Sequence, residues 1–481
     1  MLIEEYKHQI AQALAFPPTT DQARAIDCFA NFMADRSANA VMILRGSAGT
    51  GKTALASGFV SAMRRMKIHT VLLAPTGRAA KVFSLNAGAN ASTIHRCIYR
   101  EKTFNGTEGE FSLNFNKHRD TLFIVDEASM INVASSSGTF GSGNLLGDLI
   151  RFVYEGNNCR LLLIGDKAQL PPVGEDDSPA LMGYVLEEYH LRPHECDLDE
   201  VLRQSETSGI LWNATLLRRM IENPMESCKA SVWLGQFADI KKLSGSDLIE
   251  ALSESYHHVG RDETMVITRS NKRANVYNQG IRRTILEHEE ELSTGDWLMV
   301  VKNKYLKKNT TENASATKLD FIANGDRAVV RRVRNFQTYY GLRFADATLS
   351  FPDYDQAEIE TTVVLDTLTA DTPALTREQN EQLFQGVWAD YADLIRKTDR
   401  IKRLREDKYY NAMQIKFGYA ITCHKAQGGQ WAHVYIDQGY MTEEMYNADY
   451  LHWLYTAFTR ASERLYLVNW PAEQVSGTVD D

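Results

Sequence analysis

The chain has few of the features that mark secreted or membrane proteins. Its 481 residues include six cysteines scattered without a C-x-x-C pair, which argues against a disulfide framework or a clustered zinc site. No stretch approaches the ~20 consecutive apolar residues of a membrane span, and the first residues do not combine a basic region with an apolar core. We therefore expect a cytoplasmic protein with no secretory signal and no contact with a membrane.

The sequence also lacks an excess of positive charge. Its formal net charge is −9, with 44% hydrophobic and 24% charged residues, which is ordinary for a globular protein. This balance argues against a generally basic coat for nucleic acid, but it leaves room for a local basic channel. We find no internal repeat, and the length indicates several domains.

What the sequence does contain is a complete phosphate-loop motif, G-x-x-x-x-G-K-T. It follows the apolar run 41–44 and precedes the helix-forming run 54–56, which is the strand–loop–helix context that the motif needs. Glycines let the backbone wrap closely around phosphate, and the loop amides face the negative charge. The loop residues are Gly46, Ser47, Ala48, Gly49, Thr50, Gly51, Lys52 and Thr53. We expect Lys52 to reach the β- and γ-phosphates of a nucleoside triphosphate and Thr53 to ligate Mg²⁺.

The first third of the chain alternates strands and helices, which predicts a parallel sheet covered by helices on both faces. The predicted strands are 41–44, 70–73, 122–125 and 161–164. Residues 101–120 interrupt the alternation and read as an inserted β-hairpin, because they carry an Asn-Gly turn signal at 105–106.

The remainder of the chain changes character several times. Residues 206–260 show helical periodicity without a strong strand, a strand at 264–268 opens a second α/β lobe, and 296–368 reads as a small β-barrel followed by a charged helix. The predicted division is a first lobe over 1–205 with the hairpin at 97–120, a helical bridge over 206–260, a second lobe over 261–295 and 410–481, and an insert over 296–409.

Three polar residues follow strands of the first lobe and are candidates for catalysis. Asp126 would hold Mg²⁺, and Glu127 would orient and deprotonate the attacking water. The alternative is an acidic pair that caps a helix. Gln169, after the strand 161–164, is placed to sense the γ-phosphate.

Phosphoryl transfer also needs a positive charge on the far side of the nucleotide. Arg460, in Tyr455-Thr-Ala-Phe-Thr-Arg460, is the first candidate, and Arg203 is the second. Taken singly, each is more often part of a surface salt bridge.

Taken together and in order, these elements resemble the superfamily 1 helicases, and in particular their 5′-to-3′ branch of RecD-like and Dda-like DNA helicases. The match runs from about residue 16 to residue 470. The motifs that carry it are Phe16–Gln22, the phosphate loop, Ala74–Ala80, Ser92–Arg96, Asp126–Ser129, Gly165–Pro172, Leu202–Gln204, Ala420–Gly429 and Thr456–Ala461. The segment 369–410 is longer and more helical than a minimal member of the family would have.

The resemblance implies an α/β fold of two RecA-like P-loop NTPase lobes, with an inserted β-hairpin and an inserted SH3-like β-barrel, and ATP with Mg²⁺ bound between the lobes. It implies that Gln22 reads the adenine and that Gly429 lies near the nucleotide. It assigns the catalytic roles to Lys52, Thr53, Asp126, Glu127, Gln169, Arg203 and Arg460.

The resemblance further implies a track for single-stranded DNA across both lobes. Its contacts would be Thr76, Thr93, His95, Thr422, His424 and Lys425, since hydroxyls and lysine bind phosphates and imidazoles stack on bases. By itself, either histidine would be an ordinary partly buried side chain. The hairpin matches a strand-separating wedge, in which Phe104 or Phe111 stacks on the duplex end or only packs the hairpin.

The resemblance thus implies a monomeric ATP-dependent helicase that moves 5′-to-3′ on single-stranded and fork DNA and serves DNA repair or recombination. A translocase or nucleoprotein remodeller that does not separate strands is the alternative among enzymes, and an RNA helicase is a further one. A non-catalytic ATP-gated scaffold is the alternative from a different class. No nuclease constellation is evident.

Overall fold

A computed structural model describes residues 2–101, 111–133, 141–201, 207–223, 228–235, 237–306 and 321–477. Within these ranges, no helix is both long enough and apolar enough to cross a membrane.

The first lobe is built around a six-stranded parallel sheet. Its elements are α1 (Leu2–Ala13), α2 (Thr20–Ala34), β1 (Ala40–Gly46), α3 (Lys52–Arg65), β2 (His69–Ala74), α4 (Gly77–Ala87), β3 (Ala91–Thr93), α5 (Ile94–Ile98), β4 (Tyr99–Glu101), β5 (Phe111–Leu113), β6 (Thr121–Val125), α6 (Leu145–Tyr154), β7 (Arg160–Gly165), α7 (Gly183–Glu188) and β8 (Arg192–Leu198). The strand order is β3-β2-β6-β7-β1-β8. The four strands predicted from the sequence are confirmed, and β3 and β8 extend the sheet at its two edges.

The apolar residues of these strands are buried on both faces of the sheet, as expected where helices cover both sides. The hairpin strands β4 and β5 pair antiparallel, with Tyr99 opposite Leu113. The predicted Asn-Gly turn between them lies outside the described residues.

The rest of the chain forms a second sheet and a barrel. Its elements are α8 (Gly209–Glu222), β9 (Val232–Trp233), β10 (Ile240–Leu243), α9 (Leu248–His258), β11 (Thr264–Thr268), α10 (Asn271–Gly280, continued by the π-helical turn Ile281–Ile285), β12 (Trp297–Val300), β13 (Lys304–Tyr305), β14 (Phe321–Ile322), β15 (Arg327–Tyr339), β16 (Leu342–Phe351), β17 (Ala357–Val364), α11 (Arg377–Asp390), α12 (Lys397–Glu406), β18 (Met413–Phe417), β19 (Ala420–Thr422), α13 (Cys423–Ala426), β20 (Trp431–Asp437), α14 (Ala448–Phe458), β21 (Ala461–Val468) and β22 (Val475–Ser476).

The second sheet is also parallel, in the order β10-β21-β20-β11-β19. Strands β12, β15, β16, β17 and β18 close into a barrel. The chain is therefore an α/β protein of two parallel-sheet lobes with an inserted hairpin and an inserted barrel. The charged segment between barrel strands β17 and β18 folds as α11 and α12, which pack on Leu342 and Phe344.

Two parts of the predicted division are wrong. The stretch 206–260 is not a strand-free bridge, because β10 forms the edge of the second sheet beside β21, and α8 packs against α14. Two exposed lysines, Lys241 and Lys242, fill the middle of β10, so the strand shows no apolar pattern. The barrel also does not end by residue 409, since β18 pairs with β12 and closes it.

Candidate nucleotide and nucleic-acid site

The phosphate loop joins the carboxyl end of β1 to the first turn of α3. Gly49 and Gly51 adopt φ values of +80° and +84°, the left-handed region that favours glycine. A Cβ atom on Gly46 would lie 2.7 Å from Oγ1 of Thr50, so a larger residue would distort the loop. The loop therefore has the backbone curvature and the helix N-terminus that bind a phosphate group.

Lys52 is the first residue of α3 and is folded back over this loop. Its ammonium donates hydrogen bonds to the carbonyl oxygens of Gly46 and Ser47, the latter at 2.8 Å, and lies 3.8 Å from Oδ2 of Asp166. A triphosphate in the loop would have to draw the ammonium away from these two carbonyl oxygens. Thr53 follows on the same turn and is exposed.

Asp126 and Glu127 stand at the end of β6, next to β2. The backbone N–H of Asp126 donates to the carbonyl of Leu73 at 3.0 Å, and Oδ1 of Asp126 accepts from the N–H of Glu127 at 2.9 Å. Burial and the charge of Glu127 raise the pKa of the Asp126 carboxyl to about 7, against the lowering effect of Lys52. Glu127 has a φ of +53°. Residues other than glycine rarely adopt this backbone conformation, and those that do are often found at functional sites.

The residues present here fit a magnesium ion. Asp126 supplies a carboxylate and Thr53 a hydroxyl, and hard oxygen ligands of this kind suit Mg²⁺. Burial and the neighbouring charge of Glu127 disfavour the ionised form of Asp126, and a bound cation would favour it.

Gln169 lies on the loop that follows β7. Its side chain is only 5% exposed, and among the described residues its Oε1 atom has no hydrogen-bond partner. Buried amide oxygens are seldom left unpaired, so this one points to a missing partner.

Side chains of the second lobe contact the phosphate loop directly. The hydroxyl of Tyr455, on α14, accepts from the N–H of Ala48 at 2.9 Å and donates to Oδ2 of Asp166 at 2.6 Å. From α8, Arg218 donates to Oγ of Ser47 at 2.8 Å. The loop therefore lies at the seam between the two lobes.

Sequence reasoning missed both of these contacts. Tyr455 is the first residue of the motif that contains Arg460, but a tyrosine in a sequence does not by itself indicate a phosphate site. The same helix also holds the loop after β7, because the N–H of Leu170 donates to Oγ1 of Thr456 at 2.7 Å.

Arg460 follows the end of α14 and is 3% exposed. Its guanidinium donates at 3.1 Å to the carbonyls of Thr456 and Gly429 and to Oγ1 of Thr459. The structure thus brings Gly429 and Arg460 together on the second lobe, just beyond the end of the helix that reaches the phosphate loop. Arg203 lies outside the described residues.

Gln22 lies beside the phosphate loop, in the first turn of α2. It forms a capping box with Thr19, and its side-chain N–H donates to the carbonyl of Thr50 at 3.2 Å. Both side-chain atoms therefore bind protein groups in this structure, and an adenine would have to share or replace one of them.

The candidate DNA contacts of the first lobe lie at helix starts. Oγ1 of Thr76 accepts from the N–H of Ala79 at 3.2 Å, and Oγ1 of Thr93 accepts from the N–H of Arg96 at 3.3 Å. Burial lowers the pKa of His95 to about 4, so the ring is neutral at physiological pH.

The candidate contacts of the second lobe cluster around α13. Thr422 precedes this helix, His424 is exposed, and Nζ of Lys425 donates to Oδ1 of Asn324 at 2.5 Å. Burial, with the charge of Lys416 nearby, lowers the pKa of Lys425 to about 8. Both lysines line one groove with Thr422.

The hairpin presents a different aromatic residue from those expected. Phe111 packs partly buried against the core of the first lobe, and Phe104 lies outside the described residues. Phe115, which follows β5, is 67% exposed, with the guanidinium of Arg100 4.9 Å from its ring centroid.

Two protein families match this chain. An AAA domain matches residues 19–222, and a UvrD-like helicase C-terminal domain matches residues 417–468. The first contains the phosphate loop and the residues after β6 and β7, and the second contains α13 and α14.

This chain is similar to three curated proteins, and it spans a different fraction of the length of each. The uncharacterized protein MJ1519 of Methanocaldococcus jannaschii is 27% identical over 92% of this chain, which spans only 38% of that protein. The uncharacterized protein R530 of Acanthamoeba polyphaga mimivirus is 21% identical over 90% of this chain and 96% of its own length. The ATP-dependent RecD2 DNA helicase of Deinococcus radiodurans is 32% identical over 28% of this chain and 16% of that protein.

Solved structures of Pif1 helicases are similar over nearly the whole chain. A Bacteroides Pif1 in complex with ADP-AlF3 and single-stranded DNA is 15% identical, with a TM-score of 0.47 over 95% of this chain and 94% of that one. Pif1 from Candida albicans is 15% identical, with a TM-score of 0.44 over 97% of both chains.

Proposed function

We propose that the chain is a superfamily 1 helicase of the RecD-like branch, an ATP-dependent DNA helicase that moves 5′-to-3′ along single-stranded DNA. The matches to an AAA domain and to a UvrD-like helicase C-terminal domain support this proposal. One observation carries the proposal: the phosphate loop of the first lobe is contacted by Tyr455 and Arg218 of the second. A triphosphate at this seam would touch both lobes, so its binding and loss would move one lobe against the other.

The chemistry at the seam follows from the charges around it. Lys52 and the loop amides bind the β- and γ-phosphates, and Glu127 orients and deprotonates the attacking water. Mg²⁺, held by Thr53 and Asp126, would neutralise part of the phosphate charge. The unpaired Oε1 atom of Gln169 is suited to accept a hydrogen bond from that water, whereas a contact with the γ-phosphate would need the amide N–H of the same side chain.

The second lobe supplies the opposing charge. Arg460 would exchange its carbonyl contacts on Thr456 and Gly429 for the γ-phosphate, and Arg203 is the second candidate for this role. Gln22 is proposed to read the adenine. Because one chain supplies both sides of the site, we propose that a monomer is sufficient for hydrolysis.

The single strand is proposed to cross both lobes beside the nucleotide seam. Its contacts would be Thr76, Thr93, His95, Thr422, His424 and Lys425. Closure of the cleft would advance one group of contacts along the strand, and reopening would advance the other. Alternation of the two steps gives directional movement.

ATP hydrolysis measured with and without single-stranded DNA tests whether the protein is a DNA-driven motor. We expect DNA to stimulate the rate, and equal rates would favour the ATP-gated scaffold. Unwinding of forks that carry only a 5′ or only a 3′ tail then tests direction. Stimulation without unwinding of either fork would favour the translocase or remodeller.

DNA binding should weaken as the pH rises, because Lys425 loses its proton. Its pKa in the free protein is about 8, and a bound phosphate raises it, so binding takes up a proton above that pH. The dissociation constant for single-stranded DNA should then increase by up to about tenfold per pH unit between about pH 8 and about pH 9.5.

The control for this titration is Lys425→Arg, since a guanidinium stays charged throughout. This variant should flatten most of the pH dependence. Burial also lowers the pKa of Lys416 to about 8. The variant Lys416→Arg therefore measures how much of the pH dependence of DNA binding comes from Lys416. A pH dependence that is undiminished in Lys425→Arg would remove Lys425 from the proposed track.

The exposed ring of Phe115 is our candidate for the strand-separating wedge. Phe115→Ala should leave DNA-stimulated ATP hydrolysis within about twofold of the wild type but slow fork unwinding about fivefold or more, because base–aromatic stacking contributes about 1–3 kcal/mol. Phe336→Ala, which removes an exposed ring from β15, is the matched control and should change neither rate. Equal loss of both activities in Phe115→Ala would contradict the assignment. The Phe104→Ala, Phe111→Ala double variant tests the original candidates in the same way.

A further inference from the structure

The short turn between β14 and β15 contacts both halves of the proposed DNA track. This turn, residues 323–326, belongs to the inserted barrel. On one side, Oδ1 of Asn324 accepts the hydrogen bond from Nζ of Lys425. On the other side, Asp326 lies against the first turn of α4, next to Thr76.

The approach of Asp326 to α4 is very close. A Cβ atom on Gly77 would lie 2.0 Å from Oδ1 of Asp326 and 2.7 Å from the hydroxyl of Tyr354, so a larger residue here would require these side chains to move. The other carboxylate oxygen, Oδ2, accepts from the N–H of Ala323 and from Tyr354, both at 2.7 Å. Asp326 is therefore fixed with one oxygen directed at the start of α4.

That oxygen has no hydrogen-bond partner among the described residues, although Asp326 is fully buried. Burial raises the pKa of this carboxyl to about 7. The N-terminus of a helix carries partial positive charge and free amides, which attract an anion. Oδ1 of Asp326 therefore occupies space beside Gly77 at this helix start without receiving a hydrogen bond from the amides there, and a phosphate of a bound strand would have to enter the same space.

A second barrel segment holds the turn in place. Asp353, beside Tyr354, accepts from Arg78 and forms an ion pair with Lys81, each at 3.3 Å, and both basic residues lie on α4. The barrel is thereby docked on the same helix whose N-terminus faces Asp326.

We propose that the 323–326 turn is an internal competitor for single-stranded DNA, which holds the track closed until the strand displaces it. The inference rests on the proposed function, because it takes the strand to pass Thr76 and Lys425. A phosphate at the start of α4 would meet the carboxyl of Asp326, and a phosphate on Lys425 would have to replace Asn324. The strand and the turn therefore cannot occupy these positions together.

Two substitutions test the competition by measuring the dissociation constant for single-stranded DNA. Asp326→Asn keeps the shape of the side chain and removes its charge, and we expect it to tighten binding by about three- to tenfold. Asn324→Ala frees Lys425 and should tighten binding by about two- to threefold. Asp346→Asn is the matched control, since it removes the same charge from the same barrel at a site where Asp346 accepts hydrogen bonds from Asn335 and Thr362.

Unchanged or weaker binding in both test variants would overturn the inference, and weaker binding in Asn324→Ala would instead make Asn324 a contact of the strand. Amide hydrogen exchange of the wild-type protein gives an answer even if a variant fails to fold. Exchange in the 323–326 turn should become faster when DNA binds, whereas slower exchange would place the turn under the strand and overturn the competition. A wild-type chain that binds no DNA would overturn the proposed function as well, while wild-type binding with unaltered variants would overturn the competition alone.

Discussion

Replacing Lys52 by alanine should reduce DNA-stimulated ATP hydrolysis by at least about a hundredfold, because the variant loses a positive charge that stabilises the transferring phosphoryl group. Among the described residues, this ammonium bonds to the carbonyls of Gly46 and Ser47 and approaches Asp166 at 3.8 Å. Its removal therefore costs few contacts within the protein. The measurement is the steady-state hydrolysis rate at saturating DNA over a range of ATP concentrations.

Two observations separate this effect from general damage. Lys241→Ala, an exposed lysine on β10 at the edge of the second sheet, should retain the wild-type rate. The melting temperature of Lys52→Ala should stay within a few degrees of the wild type, as a change of about 1 kcal/mol would give. Normal turnover in Lys52→Ala would refute the assignment of the phosphate loop as a hydrolytic site.

Replacing Arg460 by lysine should lower kcat by about a thousandfold and change nucleotide affinity little. An arginine that meets the γ-phosphate from a second lobe stabilises mainly the transition state, and such arginines contribute about 10³–10⁵ in rate. Lysine keeps the charge but loses the planar donor pair that fits phosphate oxygens. The experiment should therefore measure both kcat and the dissociation constant for ADP in the wild type and in the variant.

Lysine is preferable to alanine at this position because Arg460 is buried and donates to the carbonyls of Thr456 and Gly429. An alanine would leave those acceptors unpaired, at a cost of about 1–3 kcal/mol each in stability. Arg464→Lys, an exposed arginine on β21, is the matched control. If kcat of Arg460→Lys is unchanged, Arg460 is a structural residue and Arg203 becomes the leading candidate.

The parts of this fold that were predictable from the sequence are those whose signals are local. The run 41–44, the glycine-rich loop and the helix that follows are determined by neighbours in the chain, and β1, the loop and α3 appear where they were expected. The strands 122–125 and 161–164 are continuous apolar runs because helices cover both faces of the sheet. Because these strands run parallel to β1, the residues that follow them, Asp126, Glu127 and Gln169, could be predicted to lie at the same edge of the sheet as the phosphate loop.

The wrong boundaries arose where a strand is defined by its partner. Strand β10 is four residues long with two exposed lysines, and only its pairing with β21 identifies it. Strand β18 closes the barrel more than a hundred positions after β12 began it, so no local pattern connects the two. Phe115 was not among the predicted wedge residues, because the exposure of its ring depends on how the hairpin packs on the first lobe.

The sequence alone determined that a phosphate loop, two acidic residues and their helicase-type motifs occur in a fixed order, because each of these depends on a few adjacent residues. Only the tertiary structure decided which side chains of the second lobe reach the loop. Tyr455 and Ala48 are 407 positions apart and still share a 2.9 Å hydrogen bond, and Asp326 of the barrel lies against Gly77 of the first lobe. Such contacts are set by the packing of whole lobes, whose many small contributions leave no signature in any short stretch of sequence.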